Sequence, residues 1–471
     1  MYKISIRCIS RNKVNNIQVR SMPYPAKSHI KKVIEQYKSL FGNEVNFDIY
    51  IAGEKSRLWP FSDQEVKFRQ NRYFNYVSGA HDQPDCHVLY EHKSDRLTLF
   101  IPPFDEESAL WGGIPLGPEE ALKKYGVDQV KYSSALKIDR PTRSIVNSSE
   151  FPSITVDESL KTAFDEARAL KDSYEVALIK RANEITDNCH LAVMSALPIE
   201  TNERHIQAEF TYHAIRQGSK NEAYDPICCS GANSGILHYV KNDETMENKL
   251  NVLLDAGAEY ECYASDVTRC FPINGVWSKE SREIYNLVLQ MQQTTMGMIK
   301  PDVHWEELHL VAHKILIEGF LRLGIFKSDF SPEEILSSNA STGFFPHGLG
   351  HMLGMDTHDT GGRANYDDPD PKMSYLRIRR TLKQDMVVTV EPGCYFNELM
   401  LRRFTGSNCK YIDYKVLDRY MSVGGIRIED DVLVTKHGFK NLTNITSDPD
   451  EIENIVQEGL SSGTGKFHNV V

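Results

Sequence analysis

The sequence lacks the features that mark several large functional classes. Its nine cysteines include no C-x-x-C pair, which excludes the common cysteine zinc and thioredoxin motifs. Basic residues are not in excess, because 65 acidic residues outnumber 54 basic ones and give a net charge of −11. This balance argues against a nucleic-acid surface and against anchoring on anionic lipid. The G-x-S-x-G elbow and the H-E-x-x-H helix are also missing, which disfavours a serine hydrolase or a zincin.

Long apolar segments are missing as well. Residues 1–11 lack the apolar region of a secretory signal, and no apolar run is long enough to cross a bilayer. Cysteines without a recognisable pairing pattern are typical of reduced, buried thiols. The sequence therefore predicts a cytoplasmic protein that acts away from membranes and nucleic acids.

The length of 471 residues predicts two or three domains. Short strand-like runs alternate with helical stretches in the first third, which predicts a small α/β domain over 1–158. Long amphipathic helices and antiparallel-looking strands follow, which predicts an α+β domain over 159–450. Residues 451–471 are polar and contain glycine and serine, as is typical of a mobile tail. Amphipathic helices are expected at 203–216, 279–299 and 305–323.

Two aspartates, Asp255 and Asp266, lie in a run of strand-like apolar residues. If this run forms a hairpin that turns near Tyr260-Glu261, the two side chains face each other with Cβ atoms about 5 Å apart. Carboxylates at that separation repel unless a proton or a cation lies between them. Two metal ions about 3.5–4 Å apart would fit there. The alternative is that one aspartate ends a strand and the other belongs to a turn.

A glycine-rich segment contains three histidines, His347, His351 and His358. The glycines permit close backbone approach, which suits a site loop better than a core element. Neutral imidazole is a good ligand for divalent first-row metals. A surface loop with solvent-facing histidines is the alternative.

Two glutamates lie on strand-like segments. Glu391 ends a hydrophobic run directly before Pro-Gly, and alternation places Glu429 on one strand face with Arg427 and Asp431. A carboxylate in an apolar strand is costly to bury without a partner. Either Arg427 or a metal ion must therefore neutralise Glu429, and the segment alone favours the ion pair with Arg427.

Together these residues predict one metal site. Four carboxylates carry the charge that two divalent cations balance. Oxygen ligands with one imidazole suit Mn²⁺, and Co²⁺ or Zn²⁺ could substitute. The predicted ligands are Asp255, Asp266, His351, Glu391 and Glu429.

Five segments in their order resemble the pita-bread metallopeptidases, and within them the prolidases, which are Xaa-Pro dipeptidases. The likeness continues more weakly into 72–79 and 97–111. The resemblance implies a creatinase-like α/β N-terminal domain followed by a pita-bread catalytic domain, whose curved antiparallel sheet is flanked by helices. It also implies a homodimer. The five segments are 229–239, 253–266, 346–359, 389–396 and 424–431.

The resemblance assigns a role to each predicted ligand. Asp255 would bind one metal ion, His351 and Glu391 the other, while Asp266 and Glu429 would bridge the two. The ions would acidify a bridging hydroxide, which attacks the peptide carbonyl. Glu391 would also shuttle the proton.

The same match assigns substrate contacts to three residues. His238 and His358 would stabilise the substrate carbonyl and the oxyanion that forms from it. Arg377 would bind the C-terminal carboxylate of the substrate, because a guanidinium fits a carboxylate bidentately. Since Arg379 and Arg380 are neighbours, a basic surface loop is the alternative for this segment.

Two aromatic residues match positions that line the family's substrate pocket. Tyr224 would do so within the subunit, whereas Trp111 would reach the site of the partner subunit in a dimer. For both, ordinary packing is the alternative.

The sequence thus favours a Mn²⁺-dependent dipeptidase that releases proline from Xaa-Pro dipeptides. An enzyme similar to aminopeptidase P, which removes the first residue of longer peptides before proline, is the nearest alternative. Arg377 favours the dipeptidase, because a carboxylate clamp suits a short substrate. A non-catalytic pita-bread module that binds peptides is another alternative, but the complete set of five ligand types argues against it and against a metal-free hydrolase.

Overall fold

The computed structural model describes residues 23–42, 44–406 and 408–462. The chain divides into two compact units, Met1–Arg168 and Ala169–Val471. Helix Glu158–Ala169 carries the chain from one to the other. The domain boundary that the sequence predicts, at residue 158, lies at the start of this helix, whereas the division between the units falls at its end.

The first unit contains a six-stranded mixed sheet. Its strands are β1 (Asp48–Ala52), β2 (His87–Glu91), β3 (Arg96–Ile101), β4 (Gln129–Tyr132), β5 (Thr142–Ser144) and β6 (Thr155–Val156). The strand order is β4-β3-β2-β1-β5-β6, and the central strands β1, β2 and β3 are antiparallel. One face is covered by a cluster that includes Tyr50, Leu89 and Phe100. The helices are α1 (Ala26–Phe41), α2 (Arg72–Ser78), α3 (Glu106–Gly112), α4 (Pro118–Lys124) and the connecting α5 (Glu158–Ala169).

The second unit combines eight helices with short strands in the described residues. The helices are α6 (Ser173–Ala196), α7 (Glu203–Arg216), α8 (Lys279–Gly297), α9 (Trp305–Leu323), α10 (Pro332–Ser337), α11 (Glu398–Thr405), α12 (Tyr414–Leu417) and α13 (Pro449–Ser462). The predicted helices at 203–216 and 305–323 are confirmed. Asn202 begins α7, because its side chain accepts a hydrogen bond from the Arg204 amide and so caps the helix.

The strands of the second unit pair antiparallel in four small sheets. The strands are β7 (Asn221–Glu222), β8 (Ile227–Ser230), β9 (Asn251–Asp255), β10 (Ala258–Tyr260), β11 (Tyr263–Ala264), β12 (Thr268–Pro272), β13 (Val387–Val390), β14 (Gly393–Tyr395), β15 (Gly425–Arg427), β16 (Asp430–Val434) and β17 (Phe439–Asn441). The sheet orders are β12-β9-β8, β11-β10-β7, β13-β16-β17 and β14-β15. A single bridge, Thr268–Glu429, links β12 to the chain between β15 and β16. The ends of strands that are distant in sequence therefore meet at one place.

The C-terminal segment differs from the mobile tail that the sequence predicts from residue 451. Residues up to Ser462 form helix α13, in which Ile452 and Val456 are buried. These two side chains are four residues apart and so lie on one helix face, a pattern that the polar composition obscures. The rest of the predicted tail, residues 463–471, lies outside the described residues.

The described residues contain no helix with both the length and the apolar character needed to cross a membrane. They contain eight cysteines, none in a disulfide, and seven of these are buried. Burial raises the pKa of thiols such as Cys228 and Cys229 well above the usual value, so these groups are protonated at neutral pH.

Candidate metal centre

The five predicted ligands lie at or near strand ends of the second unit. Asp255 ends β9, Asp266 lies between β11 and β12, Glu391 follows β13, and Glu429 lies between β15 and β16. His351 precedes a bridge between Met352 and Val388 of β13. The antiparallel pairing therefore brings together side chains that are up to 174 residues apart in sequence.

The hairpin that carries the two aspartates turns at Glu261-Cys262 rather than at Tyr260-Glu261. Both turn residues have positive φ, 47° and 68°, as a two-residue type I′ turn requires. The register therefore differs from the predicted one, and Asp255 pairs with Thr268 instead of Asp266.

The two aspartates nevertheless meet, at the hydroxyl of Tyr224. This hydroxyl lies 2.5 Å from Asp255 Oδ1 and 2.5 Å from Asp266 Oδ1. A hydroxyl has one proton and can donate to only one of the two. The arrangement therefore calls for a second proton or a cation between the carboxylates, and it places Tyr224 at the metal centre rather than in ordinary packing.

His351 presents a lone pair to three carboxylates. Its Nε2 lies 3.2 Å from Asp266 Oδ2, 3.4 Å from Glu391 Oε1 and 4.0 Å from Glu429 Oε1. Its Nδ1 lies 3.0 Å from the Met352 carbonyl oxygen, which can only accept, so the proton is on Nδ1. Burial lowers the pKa of His351, which keeps the ring neutral. A lone pair that faces carboxylate oxygens is unfavourable unless a cation lies between them.

The electrostatics of the carboxylates point the same way. Burial, and then the charge of Asp255, raises the pKa of Asp266 well above the usual value. Burial, and then Asp266 and Glu391, does the same for Glu429. Burial also raises the pKa of Glu391 to about 7, against the opposing effect of His351. Bound cations would relieve both the desolvation and the mutual repulsion.

Arg427 does not form the ion pair with Glu429 that the segment alone favours. Its Nη2 donates to Asp255 Oδ2 at 2.6 Å, and its Nη1 donates to the Tyr395 hydroxyl at 2.8 Å. The alternation on which the expectation rested is interrupted, because β15 ends at Arg427. Glu429 instead accepts a hydrogen bond from Thr268 Oγ1 at 2.6 Å, which leaves its other oxygen facing His351.

Asp431 supports the centre through the backbone of Asp266. It is fully buried, and its Oδ2 accepts from the Asp266 amide at 3.0 Å and from Asn183 Nδ2 at 2.8 Å. The supporting contacts of Thr268 and Asp431, and the contact of Tyr224 with both aspartates, could not be read from the sequence, because each joins distant segments.

Two further histidines, His358 and His238, interact electrostatically with residues of the centre. The rings of His358 and His351 are perpendicular, with centroids 4.5 Å apart. Desolvation, and then the neighbouring His351, lowers the pKa of His358 to about 2. Desolvation and the charge of Arg427 also lower the pKa of His238. Both imidazoles are therefore neutral, and each can donate one N–H to an oxygen atom.

The arginines of 377–380 differ in their contacts. Arg379 pairs with Glu306 and, at 2.9 Å, with Asp368, while Arg380 Nη1 donates to the Gly361 carbonyl at 2.7 Å. These two side chains hold the loop in place.

Arg377 is partly exposed. Its Nη1 donates to the Tyr366 hydroxyl at 3.3 Å. Its charge contributes to the lowered pKa of His238 and of His358. The assignment of Arg377 to substrate binding stays a prediction.

Trp111 belongs to the first unit. It lies on α3, a helix without buried residues, and its side chain is 84% exposed. Its assignment to a partner's substrate pocket stays a prediction.

Known proteins share this organisation. Residues 177–436, more than half of the chain, match metallopeptidase family M24, and residues 29–149 match the N-terminal domain of aminopeptidase P. The chain belongs to metallopeptidase family M24. An uncharacterized peptidase of Saccharomyces cerevisiae is 48% identical over 97% of this chain and 88% of its own. A probable Xaa-Pro aminopeptidase of Botryotinia fuckeliana is 46% identical over 92% and 97% of the two chains.

Solved structures agree with this M24 assignment. Escherichia coli aminopeptidase P with the inhibitor Pro-Leu has a TM-score of 0.77 and 27% identity, covering 93% of this chain and 100% of that one. The predicted fold, an α/β N-terminal domain followed by a pita-bread domain, is confirmed. The metallopeptidase class is confirmed too, whereas the narrower likeness to prolidase is not supported by these relatives.

Metallopeptidases of family M24 use divalent metals, and the structure offers a group of residues that fits such an ion. One ligand atom each from Asp266, His351 and Glu429 lies within 4.8 Å of the others, and all three residues are buried. The donor set, the tautomer of His351 and the raised carboxyl pKa values all fit a cation.

Proposed function

We propose that this chain is a metal-dependent Xaa-Pro aminopeptidase, which removes the first residue of peptides that have proline in second position. The observation that carries the proposal is the unprotonated Nε2 of His351, which faces oxygens of Asp266, Glu391 and Glu429. The relatives that match over almost the whole chain, among them a probable Xaa-Pro aminopeptidase, support the substrate class.

Two divalent cations would complete the centre. Their ligands would be Asp255, Asp266, His351, Glu391 and Glu429. The four carboxylates match the charge of two such ions, and the oxygen-rich set suits Mn²⁺ best, while Co²⁺ or Zn²⁺ could substitute. When bound, the cations supply Lewis acidity and a nucleophilic water at neutral pH.

The protein's own residues would divide the remaining work. Glu391 would accept the proton of the attacking water and pass it to the proline nitrogen, which must be protonated before it can leave. The neutral imidazoles of His238 and His358 would donate hydrogen bonds to the carbonyl oxygen as it gains negative charge.

A dipeptidase is the second candidate, and Arg377 favours it. A guanidinium beside the two histidines could bind the carboxylate that a dipeptide carries directly after proline. In a longer peptide that carboxylate lies one or more residues further away. The two candidates differ in substrate length, not in the chemistry of bond cleavage.

A homodimer also forms part of the proposal. Helix α3 and its neighbours expose Phe104, Leu110, Trp111 and Ile114, at 54–85% of their surfaces. Exposed apolar side chains that cluster in this way often mark an interface. Trp111→Ala should convert a dimer in sedimentation measurements to a monomer, and a wild-type monomer would contradict this part of the proposal.

The substrate proposal is tested with Ala-Pro-Ala and Ala-Pro in the presence of Mn²⁺, by chromatography of the released alanine. We expect efficient cleavage of the tripeptide and slower cleavage of the dipeptide, with Ala-Ala-Ala as the resistant control. Cleavage of the dipeptide alone would assign the dipeptidase. If the Mn²⁺-loaded protein released no alanine from either peptide, the proposal would fail.

A further inference from the structure

Glu203 is a buried carboxylate that the proposed mechanism does not use. It lies in the first turn of α7 and is 1% exposed. Its Oε1 accepts hydrogen bonds from Ser230 N at 2.9 Å, Ser230 Oγ at 2.7 Å and Asn233 Nδ2 at 2.9 Å. Its Oε2 accepts from the Tyr239 hydroxyl at 2.7 Å and from Glu244 N at 3.1 Å. Each carboxylate oxygen therefore accepts at least two hydrogen bonds.

All these donors belong to one segment, residues 230–244. The segment leaves β8, passes through a 3₁₀ turn at Gly231–Gly235 and carries His238. Tyr239 follows His238 directly and is 6% exposed, so its anchored hydroxyl fixes the main chain next to the imidazole. The far end of the segment is tied to the start of α7 by the backbone bond from Glu203 N to Glu244 O at 3.0 Å.

Glu203 also has a cationic neighbour. Lys249 Nζ lies 3.7 Å from its Oε1, and the same ammonium group contacts Ser230 Oγ and Glu244 Oε2. The N-terminus of α7 adds a favourable dipole. A buried carboxylate with this many donors and a cationic partner is suited to holding structure in place.

His238 itself lacks such support. Among residues 23–42, 44–406 and 408–462, none forms a hydrogen bond with its ring. The orientation of the imidazole therefore depends on the main chain that carries it. Anchors to Glu203 hold that main chain on both sides of His238, at Asn233 before it and at Tyr239 and Glu244 after it.

We infer that Glu203 is a positioning residue for His238, holding the imidazole where it can donate to the substrate carbonyl. This inference rests on the role of His238 in the proposed function. Glu203 acts without touching the substrate, the cations or the reacting atoms.

Kinetics with a double-mutant cycle test the inference. Glu203→Gln keeps the length of the side chain but replaces one acceptor oxygen with a donor, which cannot serve all of the donors around it. We expect kcat for Ala-Pro-Ala to fall about tenfold, with KM and bound Mn²⁺ unchanged. Tyr239→Phe, which removes one hydrogen bond, should show a smaller loss in the same direction.

The cycle separates positioning from a general structural role. In a His238→Ala background, Glu203→Gln should cause no further loss, because the group it positions is gone. Additive losses would overturn the inference. The matched control is Asp187→Asn, since Asp187 also anchors a loop by accepting from the amides of Asn444 and Ile445; its effect should add to that of His238→Ala.

Hydrogen exchange gives a readout without catalysis. In Glu203→Gln, the amides of 230–244 should exchange faster than in the wild type, while those near 444–445 should not change. Unchanged exchange in 230–244 would overturn the inference. If His238→Ala alone left kcat unchanged, the role of His238 in the proposed function would fall, and the inference with it. If His238→Ala lowered kcat but Glu203→Gln left kcat unchanged, the inference would fall and the proposed function would stand.

Discussion

At the scale of single residues, each candidate ligand is oriented by a second group. Thr268 Oγ1 donates to Glu429 and accepts from Arg427 Nε at 3.1 Å, so one guanidinium supports Asp255 directly and Glu429 through the threonine. The Met352 carbonyl orients His351 in the same sense. Such partners fix ligand geometry before any cation arrives.

Asp266→Asn tests the centre at its most connected ligand. Asp266 lies against both Tyr224 and His351, so the loss of one charged oxygen affects the whole cluster. We expect hydrolysis of Ala-Pro-Ala to fall about 100-fold or more and bound Mn²⁺ to decrease. Asp329→Asn, at an exposed position, serves as the control and should keep wild-type hydrolysis and wild-type bound Mn²⁺. Full activity in Asp266→Asn would contradict the assignment.

Arg377→Lys tests the carboxylate clamp. An ammonium group cannot form the two parallel bonds of a guanidinium. We expect KM for Ala-Pro to rise about tenfold, with a smaller change for a longer peptide and little change in kcat. Steady-state kinetics on both peptides measure this, with Arg402→Lys on α11 as the control. Equal changes for the two peptides would argue against a clamp for the dipeptide carboxylate.

The sequence indicates the candidate ligands better than it indicates their hydrogen-bond partners. Asp255, His351 and Glu391 could be recognised because strand ends and a glycine-rich loop are local patterns. The pairing of Arg427 with Asp255 spans 172 residues, and it depends on which strands become neighbours. Spacing along the chain carries no information about that choice.

At the scale of elements, one strand positions two ligands. Strand β13 leads to Glu391, and the chain around His351 runs beside it. The amide of His351 donates to Thr389 Oγ1 at 3.0 Å, and the amide of Glu391 donates to the Leu349 carbonyl at 2.8 Å. The distance between the imidazole and the glutamate is thereby set by backbone pairing.

Gly350→Ala tests this contact between loop and strand. A Cβ at Gly350 would lie 2.0 Å from the Thr389 carbonyl oxygen, so the loop must move away from β13. We expect bound Mn²⁺ and activity to fall and the melting temperature to drop by several degrees. Gly297→Ala is the matched control, because a Cβ there meets nothing within 4 Å. Calorimetry and metal analysis measure the melting temperature and the bound Mn²⁺ of both variants. Equal values for Gly350→Ala and Gly297→Ala would contradict the role of this contact.

Elements with clear end signals were predictable, and segments whose ends depend on tertiary contacts were not. Helix 203–216 has an asparagine cap and matches its predicted bounds. The strand-like segment expected to carry Arg427, Glu429 and Asp431 on one face is instead divided into β15 and β16, because Glu429 leaves the regular pairing to bridge Thr268. The hairpin turn lies one residue further along the chain than predicted. The sequence did not mark it, because Glu261 and Cys262 are not residue types that favour positive φ.

At the scale of the whole molecule, the centre links stability to pH and to metal. In the metal-free protein, burial raises the pKa of Glu391 from 4.5 to about 7. A carboxyl group whose pKa is higher in the folded than in the unfolded protein favours the folded state while it is protonated. Its contribution to the free energy of unfolding is fully present below pH 4.5 and is lost as pH rises through about 7. Bound cations remove this loss, because they favour the charged form.

The metal-free protein should therefore melt at a lower temperature at pH 8 than at pH 6, and Mn²⁺ should stabilise it more at pH 8. Each kcal/mol is worth roughly 2–4 °C in a unit of this size. Glu391→Gln should weaken the pH dependence of the metal-free protein, because the amide does not ionise. Differential scanning calorimetry at both pH values measures this. A metal-free protein that is more stable at pH 8, with no response to Mn²⁺, would contradict the linkage.

The most direct test of the central claim is a titration of metal-free protein with Mn²⁺ while alanine release from Ala-Pro-Ala is followed. Bound metal is measured on the same samples by mass spectrometry. We expect no release without metal, and activity that rises to a plateau at about two Mn²⁺ per chain. Release that persists after metal removal, or its absence with two Mn²⁺ bound, would contradict this claim.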